Sequence, residues 1–441
     1  MSLRVLIVDV ELTGLDFALR CIADGHQVRL FQATRHPIGK GYPGLTLVSD
    51  WRASMAWVGK QGLVLTTGNC KFLTELDRYR EFGFNIFSPT VASAALEIDR
   101  GKGMALLRSI GIDLPHFETF SSLKDAEAFA RKADQAYVFK TLGSEDDKSL
   151  SYVSDTPADM CAFIQRQMSR GLKLSGPCML QEKIDMAAEV GVSGWFGPEG
   201  FLPEKWQVCF EHKKLCNGEI GPNTGEMGTV CQYAESDKMA EEMLAPLTPA
   251  LQALGHRGDF SIGCGVDTKG KAWPFEFTAR LGWPAFYIQV ASHKGDCAQW
   301  MFDLLRGEDT LKVDYRPAIG VVLAQPPWPQ FDGKPACVEG NPVTGVEAAG
   351  DAFHPAMMMR GKGPNMAGGK VSDGPQDQTA GELVAVVTGL GPSVTKARKA
   401  CYDAVSKIGF TDKIYRTDIG EKVIEKLPEM HKAGYCEEME A

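Results

Sequence analysis

The sequence has no apolar run of about 18 residues, the length that a helix needs to cross a membrane. Its N-terminus contains too short an apolar run for a signal peptide, and no cleavage site follows. It also lacks an excess of basic residues, because 47 Lys and Arg stand against 56 Asp and Glu, for a net charge of -9. Nucleic-acid binding through a broad basic face is therefore not expected.

The cysteine pattern excludes two further classes of site. Twelve cysteines are present, but none forms a Cys-x-x-Cys pair, and no His/Cys cluster has the spacing of a zinc site. Since no export signal precedes them, we expect reduced thiols in a cytoplasmic protein. Hydrophobic residues make up 44% of the chain and charged residues 23%, which is typical of a globular enzyme.

The 441 residues predict two to four packed units, at about 150 residues each. Strand and helix patterns alternate at the start, with a strand at 5–8, a helix at 15–23 and further strands at 28–31 and 63–66. This order predicts an open, doubly wound parallel sheet. Later patterns predict a long helix over 92–110, strands at 137–141 and 179–184, and a mobile surface connection in the Gly/Pro/Met-rich stretch 355–375.

One candidate phosphate site is a lysine at a strand end. Lys140 ends an apolar strand, and Gly143 and Lys148 follow in a loop. Ammonium groups offset the charge of nucleotide phosphates, and loop amides donate hydrogen bonds to them. A strand-end lysine is also common as a solvated side chain, so both interpretations stay open.

A second candidate lies where the next strand ends. A strand that ends in a hinge can present backbone groups to an adenine edge. The hinge residues here would be Gln181, Glu182 and Ile184. The carboxylate of Glu189, a few residues further on, can accept the ribose hydroxyls. Taken singly, an edge strand with solvent-facing acids is the better interpretation.

A third candidate is the run of small residues at 221–228, which the segment 211–214 precedes. Such a run lets the backbone approach a small ligand closely, at an entropic cost that a purely structural turn avoids. A chance turn is the alternative.

The fourth candidate is a strand on which Glu276, Thr278 and Arg280 share one face by alternation. A carboxylate and a hydroxyl two residues apart can hold magnesium on phosphates, and an arginine beside them can stabilise an anionic intermediate. Standing alone, this is also an ordinary amphipathic strand.

Together these segments resemble the glycinamide ribonucleotide synthetase (phosphoribosylamine–glycine ligase) family of ATP-grasp ligases. The best match is at 221–228, where the family has glycine in place of Glu226. Residues 211–214 resemble the family's acidic-His-Lys-Arg segment, the lysine loop fits its spacing, and 415–420 match a segment near its C-terminus. The resemblance therefore covers nearly the whole chain.

The resemblance implies an α/β and α+β architecture with an ATP-grasp fold. It implies an N-terminal doubly wound parallel-sheet domain at 1–100, a two-lobed ATP-grasp domain at 101–316 with ATP between the lobes, and a C-terminal α+β domain at 317–441. The implied reaction joins a carboxylate to an amine through an acyl phosphate and releases ADP and phosphate. ATP and Mg2+, or Mn2+, are the implied cofactors.

The same resemblance assigns roles to particular residues. Arg280 and Lys148 would be catalytic, and Glu276 and Thr278 would hold the metal. The residues that would bind ATP are Lys140, Gly143, Lys148, Gln181, Glu182, Ile184 and Glu189. Those that would bind substrate are Lys213, Asn223, Thr224, Gly225, Met227 and Arg280. The expected partners are a small-molecule amine and an amino-acid-like carboxylate, bound by a monomer or homodimer.

The chain departs from the family in several places. Asp9, Glu11 and Asp16 stand where the family has a glycine-rich loop that helps bind the phosphoribosyl substrate, and three carboxylates there would repel a phosphate. Thr278 replaces an asparagine that ligates magnesium, and the run from Arg280 lacks two acidic side chains of the family. Three functions therefore stay open: the family's own ligation, the same chemistry on another amine or acid, and silent ATP binding.

Overall fold

The computed structural model describes residues 2–69, 71–142, 150–329, 339–367 and 370–441. None of the helices in these ranges is long and apolar enough to cross a membrane. The predicted phosphate contacts Gly143 and Lys148 lie outside the described residues.

The N-terminal unit is a five-stranded sheet of order β3-β2-β1-β4-β5, and all of its pairs are parallel. Alternate side chains of β1 enter different cores, since Val5 and Ile7 pack in one cluster and Leu6 and Val8 in another. Both faces of the sheet are thus covered, which confirms the doubly wound prediction. The elements are β1 (Arg4–Asp9), α1 (Leu15–Ala23), β2 (Gln27–Gln32), β3 (Leu45–Val48), α2 (Met55–Val58), β4 (Leu63–Thr66), α3 (Leu73–Glu81) and β5 (Asn85–Phe87).

The single long helix predicted over 92–110 is wrong, because two helices occupy that stretch: α4 (Val91–Ile98) and α5 (Arg100–Ser109). Between them Asp99 has extended backbone angles, and its side chain accepts a hydrogen bond from the Lys102 amide. An aspartate in this position caps a new helix and interrupts the old one.

A four-stranded antiparallel sheet of order β6-β9-β7-β8 forms the next unit. In its register Lys140 lies opposite Met179 and Val138 opposite Gln181. The predicted strands at 137–141 and 179–184 are confirmed, the second one slightly shifted. The elements are β6 (Phe117–Phe120), α6 (Leu123–Ala130), β7 (Tyr137–Thr141), β8 (Tyr152–Val153), α7 (Pro157–Ser169) and β9 (Cys178–Glu182).

The largest unit is a nine-stranded antiparallel sheet of order β17-β16-β10-β12-β15-β20-β25-β22, with β11 paired to β10. The elements that lead up to residue 316 are β10 (Met186–Gly197), β11 (Gly200–Phe201), β12 (Trp206–Glu211), β13 (Lys214–Cys216), β14 (Ile220–Asn223), β15 (Gly228–Ala234), α8 (Lys238–Met243), α9 (Thr248–Ala253), β16 (Gly258–Asp267), β17 (Ala272–Thr278), α10 (Ala285–Ser292), β18 (His293–Lys294), α11 (Gln299–Leu304) and β19 (Lys312–Val313).

The C-terminal part of the chain continues the same sheet through β20, β25 and β22. Its elements are β20 (Ala318–Ala324), β21 (Glu339–Pro342), α12 (Val346–Ala349), β22 (Phe353–Pro355), β23 (Met358–Ala367), β24 (Lys370–Ala380), β25 (Leu383–Leu390), α13 (Val394–Val405) and α14 (Glu421–Lys432). Strands from both sides of residue 316 therefore share one hydrogen-bonded sheet, while the domain limits themselves stay a prediction.

The sequence predicts a mobile surface connection over 355–375, but the structure has regular strands there. This stretch contributes β23 and the first half of β24, which pair in antiparallel register from Met358 opposite Thr379 to Ala367 opposite Lys370. Many of the residues of these strands are polar, glycine or proline, so apolar alternation does not reveal them. The backbone ladder and the third strand, β21, hold them in place.

Candidate active site

A cavity of about 360 Å³ lies between the segment that follows β1 and one face of the nine-stranded sheet. Strands β10, β12, β16 and β17 supply much of its wall, and Glu11 and Thr13 approach from the N-terminal unit. Glu276, Thr278 and Arg280 all line it. The first two lie on β17, but this strand ends at Thr278 and not, as predicted, beyond Arg280, so Arg280 reaches the cavity from the segment that follows the strand.

Glu276 is the point where several cations meet. Its carboxylate lies 3.5 Å from an Arg100 guanidinium nitrogen and 3.7 Å from Lys213 Nζ. Lys213 also pairs with Glu211 at 2.8 Å. Burial lowers the pKa of Lys213, but the negative charges of Glu211 and Glu276 raise it by more. The pKa is therefore raised overall, and the side chain stays a cation.

Lys140 and Gln181 come from separate sequence segments and meet in the structure. Lys140 Nζ donates a hydrogen bond of 2.8 Å to Gln181 Oε1. Burial, followed by the charge of Arg100, lowers the pKa of Lys140 to about 8, while Glu276 and Glu189 act in the opposite sense. Lys140 therefore lies within electrostatic range of the cluster around Glu276.

Arg100 is a site residue that sequence reasoning missed. It is buried, donates a hydrogen bond of 3.2 Å to the Thr141 carbonyl, and contacts Glu276. It thereby joins α5, the end of β7 and β17 at one point. No local motif marks it, because its partners are far away in the sequence.

The hinge after β9 is partly occupied by the protein's own hydrogen bonds. The Glu182 amide donates to the His116 carbonyl at 2.8 Å, and the Lys183 amide donates to the Ala136 carbonyl at 3.1 Å. Ile184, the next residue, is half-buried, and Glu189 is exposed on β10. The Glu182 and Lys183 amides are thus already used within the protein. Among the predicted hinge residues, Ile184 is the one whose backbone these two hydrogen bonds leave for a ligand.

The predicted substrate loop is divided in the structure. Gly225 lines the cavity, and Thr224 holds the loop by donating from its amide and its hydroxyl to the Lys213 carbonyl at 2.7 and 2.8 Å. Asn223 is exposed at the end of β14, and Met227 is fully buried in the protein, so neither is among the residues that line the cavity.

Two segments that the resemblance singled out contact each other. His212 Nε2 accepts a hydrogen bond of 3.1 Å from the Gly420 amide, and burial lowers the pKa of His212 to about 3. Arg416, which is 1% exposed, binds Glu219, Asp418 and the Lys214 carbonyl. The C-terminal segment 415–420 therefore fixes the base of the substrate loop, which is a structural task.

The three N-terminal carboxylates have different surroundings. Asp9 is fully buried and accepts from the amides of Thr13 and Gly14, each at 3.0 Å, at the start of α1. Asp16 is buried and pairs with Arg20 and His354, each at 2.9 Å. Of the three, Glu11 is the one that lines the cavity. The repulsion of a phosphate that three carboxylates predicted is therefore smaller. Glu11 is the carboxylate in the cavity, and Asp9 instead accepts hydrogen bonds from backbone amides.

An antiparallel lobe that carries a half-buried lysine, set beside a larger sheet that carries a carboxylate with an arginine just after its strand, is the arrangement of an ATP-grasp enzyme. Solved structures agree in fold. A biotin carboxylase–β,γ-ATP complex from Campylobacter jejuni aligns with a TM-score of 0.62 at 11% identity, covering 98% of this chain and 97% of that one. A phosphoribosylamine–glycine ligase from Thermotoga maritima aligns with a TM-score of 0.70 at 20% identity, covering 94% and 100%.

Sequence comparison narrows this class to a family. Two domain models of the phosphoribosylglycinamide synthetase family match this chain. The ATP-grasp (A) domain matches residues 103–263, and the C domain matches residues 318–422. A curated phosphoribosylamine–glycine ligase of Neisseria meningitidis serogroup B is 25% identical over 364 residues, or 80% of this chain and 82% of the relative. The chain belongs to the phosphoribosylglycinamide synthetase family and is an ATP-grasp ligase that forms carbon–nitrogen bonds.

Proposed function

We propose that this ligase activates the carboxylate of glycine, or of a closely similar amino acid, with ATP and joins it to phosphoribosylamine. The names of its relatives supply both substrates. The observation that carries the proposal is the cluster of Arg100, Lys213 and Lys140 around Glu276, beside a cavity of small-molecule size that Arg280 also lines.

In the first step a carboxylate oxygen of the amino acid attacks the γ-phosphorus of ATP, and ADP leaves. Lys140 and Lys213 offset the negative charge of the transferring group. Ile184 contributes backbone contacts to adenine, and Glu189 accepts hydrogen bonds from the ribose. The cavity walls keep water from the acyl phosphate.

In the second step the amine nitrogen attacks the acyl carbon, and phosphate leaves with the electron pair of the broken carbon–oxygen bond. The nitrogen then loses its proton and the amide is complete. Arg280 stabilises the oxyanion that forms between attack and departure. Its guanidinium is held for this by Glu97, whose carboxylate lies 3.1 Å from Nε.

Glu276 and Thr278 would hold a divalent cation, Mg2+ or Mn2+. In the described parts of the chain no three His, Cys, Asp or Glu side chains form a metal-binding group. One carboxylate and one hydroxyl nevertheless fit Mg2+, which usually keeps several waters and takes the rest of its ligands from substrate phosphates. Such an ion neutralises phosphate charge.

One observation favours a different amine. The start of α1 is the natural place for a substrate phosphate, because helix N-terminal amides bind anions. Here the Asp9 carboxylate already accepts from the Thr13 and Gly14 amides. An amine without a phosphate is therefore the second candidate, with the same acyl-phosphate chemistry.

The test is amine-dependent ADP formation, followed by mass spectrometry of the product. Phosphoribosylamine with glycine should give ADP and an amide of the summed mass less water. If unphosphorylated amines react well and phosphoribosylamine does not, the second candidate replaces the first. If no combination releases ADP, the proposed ligation is wrong. A cytoplasmic location and a monomeric or homodimeric state stay predictions from the sequence.

A further inference from the structure

Glu226 is a buried glutamate in the cavity lining that neither proposed reaction step uses. It is 7% exposed, and it lies in the substrate loop between Gly225 and the start of β15. Burying a carboxyl group is costly unless the group is paired or hydrogen-bonded. The surroundings of Glu226 therefore decide what it can do.

The strand register places Glu226 near Glu211. Thr229 on β15 lies directly opposite Glu211 on β12, and the Thr229 hydroxyl donates a hydrogen bond to the Glu226 carboxylate. Directly opposite residues share one face of a sheet, with Cβ atoms about 4.5–5.5 Å apart. All three residues line the cavity. Two carboxyl groups therefore lie on either side of the Thr229 side chain.

The loop that carries Glu226 also approaches the segment that carries Arg280. A methyl group at Gly225 would lie 3.5 Å from Cδ1 of Trp283, three residues beyond Arg280. Burial lowers the pKa of Arg280, but Glu97 and other acids, Glu226 among them, raise it by more. Glu226 therefore lies within electrostatic range of the guanidinium that the second step assigns to the oxyanion.

Glu226 has a hydrogen bond but no ion pair within the described ranges. The nearby cation Lys213 pairs with Glu211 and Glu276 instead. Burial and then the charge of Glu211 raise the pKa of Glu226 well above its usual value, although Thr229 and Lys213 act in the opposite sense. A carboxylate with a raised pKa is a stronger proton acceptor than an ordinary one.

We propose that Glu226 is the general base of the second step and accepts the proton that the attacking amine loses. The amine nitrogen bonds to the acyl carbon and becomes positively charged. Its proton passes to the Glu226 carboxylate, and phosphate leaves with the electron pair of the carbon–oxygen bond. Thr229 holds the carboxylate in place, and the proton is released to solvent with the product. This inference rests on the proposed ligation and applies to whichever amine is the substrate.

Hydroxylamine separates the two steps, because its nitrogen is unprotonated at neutral pH and attacks an acyl phosphate without a base. With glycine, ATP and hydroxylamine, Glu226→Gln should form the hydroxamate and ADP at close to the wild-type rate. With the amine substrate its kcat should fall about 100-fold or more, as expected for the loss of a general base. Glu226→Asp keeps a carboxylate and should recover part of this rate. Glu199→Gln, at an exposed acid outside the cavity lining, is the matched control and should match wild type with both nucleophiles.

The pH profile of amide formation is a readout that a merely structural role would not move. Because the carboxylate is the active form of a base, the wild-type kcat should rise with pH as Glu226 loses its proton. This part of the profile should be absent from Glu226→Gln. The groups whose charges act on Glu226 are Glu211, Lys213 and Cys209, and Glu226 acts in turn on Arg280.

A Glu226→Gln variant that is folded by circular dichroism and forms amide at the wild-type rate would overturn the proposal. An equal loss of hydroxamate and amide would also overturn it, since Glu226 would then act before the amine attacks. A wild type that releases ADP with neither hydroxylamine nor any amine would overturn the proposed ligation and the base with it. Hydroxamate formation without reaction of phosphoribosylamine would replace only the amine, and Glu226 would be tested with the amine that reacts.

Discussion

Lys140 Nζ donates a hydrogen bond of 2.8 Å to Oε1 of Gln181, which connects β7 to β9. The two residues were predicted from separate segments to bind the same nucleotide. Their contact holds the lysine at the end of its strand, within electrostatic range of Glu276.

Replacing Lys140 by methionine should weaken Mg-ATP binding by about 1.5–3 kcal/mol, the range for a hydrogen bond to a charged group. This corresponds to about 10- to 150-fold in Kd. Calorimetric titration of the folded variant with Mg-ATP measures it. Lys132→Met, at an exposed lysine of the same lobe, is the control and should bind as wild type does. Equal affinities for the two variants would exclude Lys140 from the nucleotide site.

ATP affinity should fall as the pH rises through about 8. Burial lowers the pKa of Lys140 to about 8, so the side chain is charged below that value and neutral above it. Since the charged form is the one that attracts phosphates, binding should be tighter on the acidic side. Lys140→Arg keeps its charge throughout and should flatten this part of the profile. A wild-type profile that matches that of the arginine variant would contradict the assignment.

Thr278→Asn should preserve or raise the affinity for Mg2+ in the presence of ATP. An amide oxygen is a better ligand than a hydroxyl, and the present threonine would leave one coordination position to water. The measurement is the Mg2+ dependence of ADP formation at saturating ATP. A large loss of activity in this variant would show that Thr278 has a role other than that of a metal ligand.

Asp9→Ala should lower the free energy of unfolding by about 1–3 kcal/mol, because it leaves buried donors unsatisfied. The donors are the amides of Thr13 and Gly14, the Gln32 side-chain amide and the Thr67 hydroxyl. Urea denaturation measures the change, with the exposed Asp134→Ala as control. Equal stability of the two variants would mean that Asp9 does not hold the start of α1.

The sequence predicted the elements that carry strong apolar patterns. The strand at 5–8 and the helix at 15–23 appear as expected because their buried faces follow the strand and helix periods. The strand Leu45–Val48 was missed, since it is a partly exposed edge strand with a polar residue in its run. Asp99 divided a predicted helix through a capping interaction that the apolar pattern does not encode.

The same distinction applies to the site. Lys140 and Glu276 lie on regular strands, and Arg280 follows the second strand by two residues, so strand-end position and alternation could be read from the sequence. Arg100 was not predicted, because it becomes a site residue only when distant segments are packed together.

The proposed ligation requires, above all, that an acyl phosphate forms from the amino acid. Glycine labelled with oxygen-18 in its carboxylate, incubated with the protein, Mg-ATP and amine, tests this directly, because the attacking oxygen must leave in the phosphate. If the acyl phosphate forms, the inorganic phosphate carries one labelled oxygen for each ADP formed. Unlabelled phosphate, with all the label retained in glycine or in the amide, would contradict it.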